Sequence, residues 1–88
     1  MTKRKVAIAM MPDSEIVDNV RYRANRISRL VDKSTGININ DANTSNLATF
    51  IEDASRVEFN VEWLNDYMSE LKTRAKTRLA AHSPFDKG

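Results

Sequence analysis

Pro12 separates two apolar periods that cannot belong to one regular element. Before it, Val6, Ile8 and Met10 alternate with Lys3, Lys5, Ala7 and Ala9, the step of two that sends successive side chains to opposite faces of a strand. After it, Ile16, Val17, Val20, Ala24, Ile27, Leu30 and Val31 recur at steps of three and four, which makes one stripe along a helix. The pattern predicts a short strand over residues 3–11 feeding a helix over 13–35. A single strand leaves its backbone donors and acceptors unpaired. No second run of that kind follows, so the expected partner is the same strand of another copy, with Val6, Ile8 and Met10 at the dimer interface.

The punctuation downstream is consistent with helices. Asp13 or Ser14 can cap the first one, and Glu15 suits the positive end of its dipole. Gly36 reads as a stop, because glycine enters the left-handed C-cap conformation without steric cost. Residues 37–46 form a linker rich in Asn, Asp, Thr and Ser, after which Thr44, Ser45 or Asn46 can cap a second helical region. Its apolar positions run from Leu47, Phe50, Ile51, Ala54, Val57 and Val61 to Leu64, Met68, Leu71, Ala75 and Leu79. Residues 46–83 are one long helix or two consecutive helices broken near Asn60 or Asn65, and 84–88 are a tail after Ser83-Pro84. A further line, Phe59, Trp63 and Tyr67, lies on a neighbouring face. Together with Met68 and Leu71 it predicts an oligomer or partner interface, or else a third helix folded back over it.

At 88 residues the chain is a single domain whose small core favours association. Its formal net charge is only +2, but the charges are segregated. Residues 1–33 are rich in Lys and Arg, residues 34–71 hold Arg56 alone against seven acids, and the basic character returns from Lys72 onward. Tyr22, Arg26, Arg29 and Lys33 make a basic stripe opposite the apolar one, either a solvated face or a contact for phosphate or a partner. Glu58, Glu62, Asp66 and Glu70 read as a solvated acidic face. With no cysteine, one histidine and no glycine-rich phosphate loop, no catalytic pair can be assembled. An enzyme, a cofactor and a metal site are therefore not expected. No segment has the length of a membrane span or of a secretory signal, so the expected location is the cytoplasm.

The order of strand, capped helix, polar connection and second helix resembles the ribbon-helix-helix family of DNA-binding proteins. Lys3 to Pro12 looks like the family's ribbon, and Asn46-Leu47-Ala48-Thr49-Phe50-Ile51-Glu52-Asp53-Ala54-Ser55-Arg56 is similar to its second helix. The resemblance implies a mainly α fold with one N-terminal strand, a ribbon-helix-helix-like dimer with an extended C-terminal helix. The paired strands would enter the major groove of double-stranded DNA. It would aim Lys3, Lys5, Ala7 and Ala9 at the groove, with Arg4, Arg26 and Arg29 adding cations and the amides near Thr44, Ser45 and Asn46 meeting phosphate. The reading that follows is a dimeric DNA-binding regulator, a repressor type, whose C-terminal helix builds a higher homo-oligomer or holds a protein partner. The alternative is a small helical interaction protein, of the kind viruses encode against host machinery, that binds and inhibits another macromolecule and touches no DNA. The conformation of residues 3–10 separates the two.

Overall fold

The computed structural model describes residues 2–82, which form three helices: α1 (Lys3–Ala9), α2 (Asp13–Thr35) and α3 (Thr44–His82). No strand is present among the described residues. The expected strand over residues 3–11 is instead α1, and with it the paired ribbon and the ribbon-helix-helix fold are overturned. The physical reason lies in the same seven residues. Thr2 caps the segment, its hydroxyl accepting from the Lys5 amide at 3.2 Å, and Arg4, Lys5, Ala7 and Ala9 are all good helix formers. A step of two over so short a run is also ambiguous. Val6 and Met10 are four apart and share one helix face, while Ile8 points away from both. Accordingly Ile8 is 1% exposed, whereas Val6 is 46% and Met10 81% exposed. The grouping of Val6, Ile8 and Met10 into one buried set therefore fails.

Pro12 remains the hinge. It is extended (φ −67°, ψ 156°) and opens α2 as its N-cap residue, since proline lacks the amide that a first helical turn leaves unused. Neither Asp13 nor Ser14 caps the helix. At the far end Gly36 is right-handed (φ −74°), not in the left-handed state expected of a glycine stop. The connection to α3 is closed by asparagines: Asn38 Oδ1 accepts from the Asn40 amide at 3.1 Å, and Asn43 Oδ1 accepts from the Asn46 amide at 2.8 Å. Asn43 thus caps α3, and Thr44, Ser45 and Asn46 form its first turn.

α3 runs unbroken to the last described residue, so neither Asn60 nor Asn65 interrupts it. The residues 84–88 expected as a tail, with Ser83, lie outside the described residues. α2 packs antiparallel along α3 as a hairpin, and α1 lies across the side of α3 near its C-terminal half. Ile8, Ile16 and Tyr67, one from each helix, form the buried core, and Met11, Val20, Trp63 and Leu71 pack around it. Toward the loop the hairpin seam turns polar, with Arg23 and Ser34 of α2 against Asp53 and Asn60 of α3.

Arg74 locks the junction. Its Nη2 donates to the carbonyls of Met11 (2.7 Å) and Ala9 (3.1 Å), and its Nε to Glu70 (2.8 Å), while Nη1 meets the Asp13 carboxylate. One guanidinium therefore satisfies the exposed C-terminal end of α1 and ties it to the start of α2. The Asp13 and Glu70 carboxylates hold it above its ordinary pKa.

Ile8→Ala should destabilise the protein by about 2–5 kcal/mol, as cavity-forming core truncations do. Val6→Ala should stay within about 0.5 kcal/mol. Urea unfolding followed by circular dichroism checks the contrast, and equal losses would contradict a helical α1.

Candidate interaction face

In an antiparallel hairpin, stepping one residue back from the seam on either helix turns toward the same side. From Arg23 and Asn60 that step reaches Tyr22 and Phe59, and their shared neighbour shows that they do lie together. The Arg23 guanidinium stands 5.5 Å from the Tyr22 ring, 5.9 Å from Phe59 and 5.0 Å from Trp63. Its Nη1 also donates to Asn60 Oδ1 at 2.8 Å, and Asn60 Nδ2 donates in turn to the Arg56 carbonyl at 2.8 Å. Arg23 is thus held in one place by a buried amide that the helix itself orients.

The aromatic residues continue the array along α3. Phe59 meets Trp63 edge-on at 6.3 Å, and Trp63 stacks on Tyr67 at 5.7 Å. Arg4 of α1 covers Trp63 at 4.8 Å and is anchored by Asp66, Nε to Oδ2 at 2.6 Å. Two guanidinium groups therefore lie over one indole, an arrangement that the negative face of the ring favours. The indole Nε1 and Arg23 Nε are buried without a hydrogen-bond partner. The line Phe59, Trp63 and Tyr67 thus divides by depth. Tyr67 belongs to the core, Trp63 is half-buried under Arg4 and Arg23, and Phe59 is 52% exposed. Among the described residues α3 does not break to fold back over this line; α1, ahead of the hairpin in sequence, supplies the cover.

The same side carries cations. Tyr22, Arg26, Arg29 and Lys33 follow one another along α2 and are all exposed. Lys33 Nζ stands 3.3 Å from Asp53 Oδ2, and Arg56 flanks the other oxygen at 3.7 Å. These two cations compensate the buried Asp53 carboxylate, although its Oδ2 makes no directed hydrogen bond. Among the described residues, Arg26 and Arg29 pair with no carboxylate. The acids Glu52 and Glu62 border the face, one paired with Arg56 and the other 3.9 Å from Arg4.

The remaining sequence-derived positions do not gather into one site. Lys3, Lys5, Ala7 and Ala9 are exposed on a helix and form no ribbon face. Arg4 is turned inward onto Trp63 and Asp66. Thr44, Ser45 and Asn46 are exposed at the loop end of α3, where the Asn46 amide is already taken by Asn43. About 30 Å of helix at 1.5 Å per residue separates them from α1's contacts near Asp66. Met68 is half-exposed and Leu71 half-buried beside the core.

Sequence reasoning missed Arg23, Asn60, Asp53 and Arg74. A signal for them exists. Arg23 interrupts an apolar stripe at a position that should be buried, and Asp53, Asn60, Tyr67 and Arg74 are spaced by sevens along one face of α3. No group of His, Cys, Asp and Glu suited to a metal occurs among the described residues, and no helix is long and apolar enough to cross a membrane. Set beside known proteins, the chain matches no family model, no curated protein and no solved structure.

Trp63 is the only tryptophan, so its fluorescence reports on this face alone. Arg4→Ala should red-shift its emission and raise acrylamide quenching while leaving the helical signal nearly unchanged. Arg23→Met, which strands the Asn60 carbonyl oxygen, should in addition cost about 1–3 kcal/mol. Unchanged quenching in both variants would mean that neither guanidinium covers the indole.

Proposed function

We propose that the chain is a small helical interaction protein that docks, by the basic and aromatic side of its hairpin, on an acidic surface of another protein and thereby blocks it. The observation that carries this reading is the fixed cluster of Arg23, Tyr22, Phe59 and Trp63 beside the unpaired Arg26 and Arg29. Arginine, tyrosine and tryptophan dominate the binding energy of protein interfaces, and rigid aromatics lose little entropy on docking. Arg23 is already immobilised by Asn60, so part of the ordering cost is met before binding.

Two features favour a protein partner over nucleic acid. Glu52 and Glu62 on α3 border the cationic stripe, and a continuous phosphate backbone would be repelled along that edge. The chain's small net charge of +2 also offers little long-range attraction for a polyanion. The inward-turned α1 removes the strand on which groove entry depended, which leaves the DNA-binding reading without its reading element. No catalytic role is part of the proposal.

The test compares two measurements on the same variants. Affinity capture followed by mass spectrometry should recover a partner with wild-type protein. Arg26→Glu/Arg29→Glu and Phe59→Ala should each weaken that partner's binding at least about tenfold, corresponding to about 1.4 kcal/mol. Lys3→Ala should leave it intact. Duplex DNA should bind weakly at low salt with no dependence on Arg26 or Arg29. Tight DNA binding that falls steeply with salt and is abolished by Arg26→Glu/Arg29→Glu would overturn the proposal in favour of a nucleic-acid face.

A further inference from the structure

The side of the hairpin away from α1 carries a second apolar seam that the described residues cover only in part. The intramolecular seam on α3 runs through Asp53, Asn60 and Tyr67, and on α2 through Ile16, Arg23 and Leu30. One residue further on, a turn of about 100° on each helix, stand Ala54, Val61 and Met68 on α3 and Val17, Ala24 and Val31 on α2. In an antiparallel pair these two turns lead to the same side, opposite Phe59, Tyr22 and α1. On α3 the apolar positions from Leu47 to Ala75 alternate in steps of three and four without one polar residue, the spacing of a seam between two long helices. Yet none of them is fully buried: Val61, Met68 and Ala75 are exposed, Val61 by 37% and Met68 by 49%, and the others are half-buried.

We infer that this seam is the interface of a homodimer in which the α3 helices of two copies pack antiparallel about Asn65. The surface of a single copy is in excess. Its accessible area is 6740 Å², against roughly 5,200 Å² expected for a compact monomer of its 10.0 kDa mass. Its radius of gyration is 18.5 Å, against roughly 12 Å for a compact domain of this length. The excess, on the order of 1,500 Å², exceeds the approximately 800 Å² that a standard interface takes from each partner. A seam of about 42 Å on α3, widened by about 21 Å of α2, has the dimensions to supply it.

Charge decides the direction. The residues flanking the seam on its outer edge, spaced by sevens, are Ile51, Glu58, Asn65, Lys72 and Leu79. Antiparallel pairing sets Glu58 against Lys72 of the second copy, Ile51 against its Leu79, and Asn65 against Asn65. The same register brings Val61 to Leu71, Leu64 to Met68 and Val57 to Ala75 across the seam. Parallel pairing would instead turn the Glu58 and Lys72 edge of each copy toward the Asp53, Asn60 and Tyr67 edge of the other, which α2 already covers, so neither charge would meet its complement. The antiparallel register also gives residues 75–82 a neighbour. They are helical but all exposed, because α2 begins opposite Arg74 and covers nothing beyond it.

Sedimentation equilibrium and thiol cross-linking test the inference without reference to any outside partner, so its failure is separate from failure of the proposed docking function. Wild-type protein should have twice the 10.0 kDa chain mass across the micromolar range. Val61→Glu/Met68→Glu, at positions already half-exposed, should give a helical monomer. Since the chain has no cysteine, introduced thiols are unique. With a short bis-maleimide, Asn65→Cys should link to itself, and Glu58→Cys should link to Lys72→Cys in a mixture but not to itself. These substitutions leave the seam intact, so they still report if the double glutamate variant fails to fold. A monomeric wild type overturns the inference and leaves the seam to a helix of another protein. Efficient self-linking of Glu58→Cys, or no link between Glu58→Cys and Lys72→Cys, overturns the antiparallel register about Asn65.

Discussion

Everything in this protomer depends on the meeting of Ile8, Ile16 and Tyr67. Each helix contributes one of these side chains, and they make the only extended dry cluster among the described residues. A core of this size cannot by itself offset the entropy of ordering a chain of 88 residues. The polar clamp at the same place is therefore part of the fold. Arg74 donates to the carbonyl end of α1 and to the first carboxylate of α2 from a single guanidinium fork, which fixes how Pro12 turns the chain. With that turn fixed, Arg4 arrives over Trp63 and the aromatic array is closed from one side.

Polarity in the hairpin seam serves register more than stability. Asp53 and Asn60 are nearly fully buried, and each has a small set of groups it can meet. Asp53 is reached by Lys33 and Arg56, and Asn60 by Arg23. Sliding α2 along α3 by one turn, about 5.4 Å, would part Lys33 from Asp53 and Arg23 from Asn60 and leave the buried carboxylate with Arg56 of its own helix alone. An all-apolar seam would tolerate such a slip. The buried polar groups therefore hold Tyr22 and Phe59 level with one another, and the interaction face exists because the register does.

The long elements were legible because their signals are long. α2 shows its stripe over more than twenty residues, and the proline before it marks the start. The unbroken course of α3 could not be read, because Asn60 is a poor helix interior residue on propensity alone; its burial against Arg23 is a tertiary effect. At α1 the reading failed for a different reason. Over seven residues a step of two and a step of four share members, and Val6 and Met10 satisfy both. The deciding groups, Tyr67 and Arg74, lie some sixty residues away. The candidate site was legible as a basic stripe from Tyr22 to Lys33, but not as a site. Its organiser, Arg23, sits inside the apolar stripe, where residue type alone gives no hint that a guanidinium belongs beside three rings.

The two outward features occupy opposite sides of the hairpin for one geometric reason. On antiparallel helices a step back from the seam and a step forward from it diverge by about 200°, so whatever sequence places before the seam faces away from what it places after. Here the preceding positions carry Tyr22, Phe59 and Asp66, and the following ones Ala24, Val61 and Met68. α1 docks by Arg4 on the first side and leaves the second free. If both sides are used as proposed, a two-fold dimer through the apolar seam directs its two basic faces outward and away from each other. One flat partner surface could then engage only one of them. The assembly would bridge two partner molecules instead of gripping one twice, and its apparent affinity for a single partner would gain nothing from dimerisation.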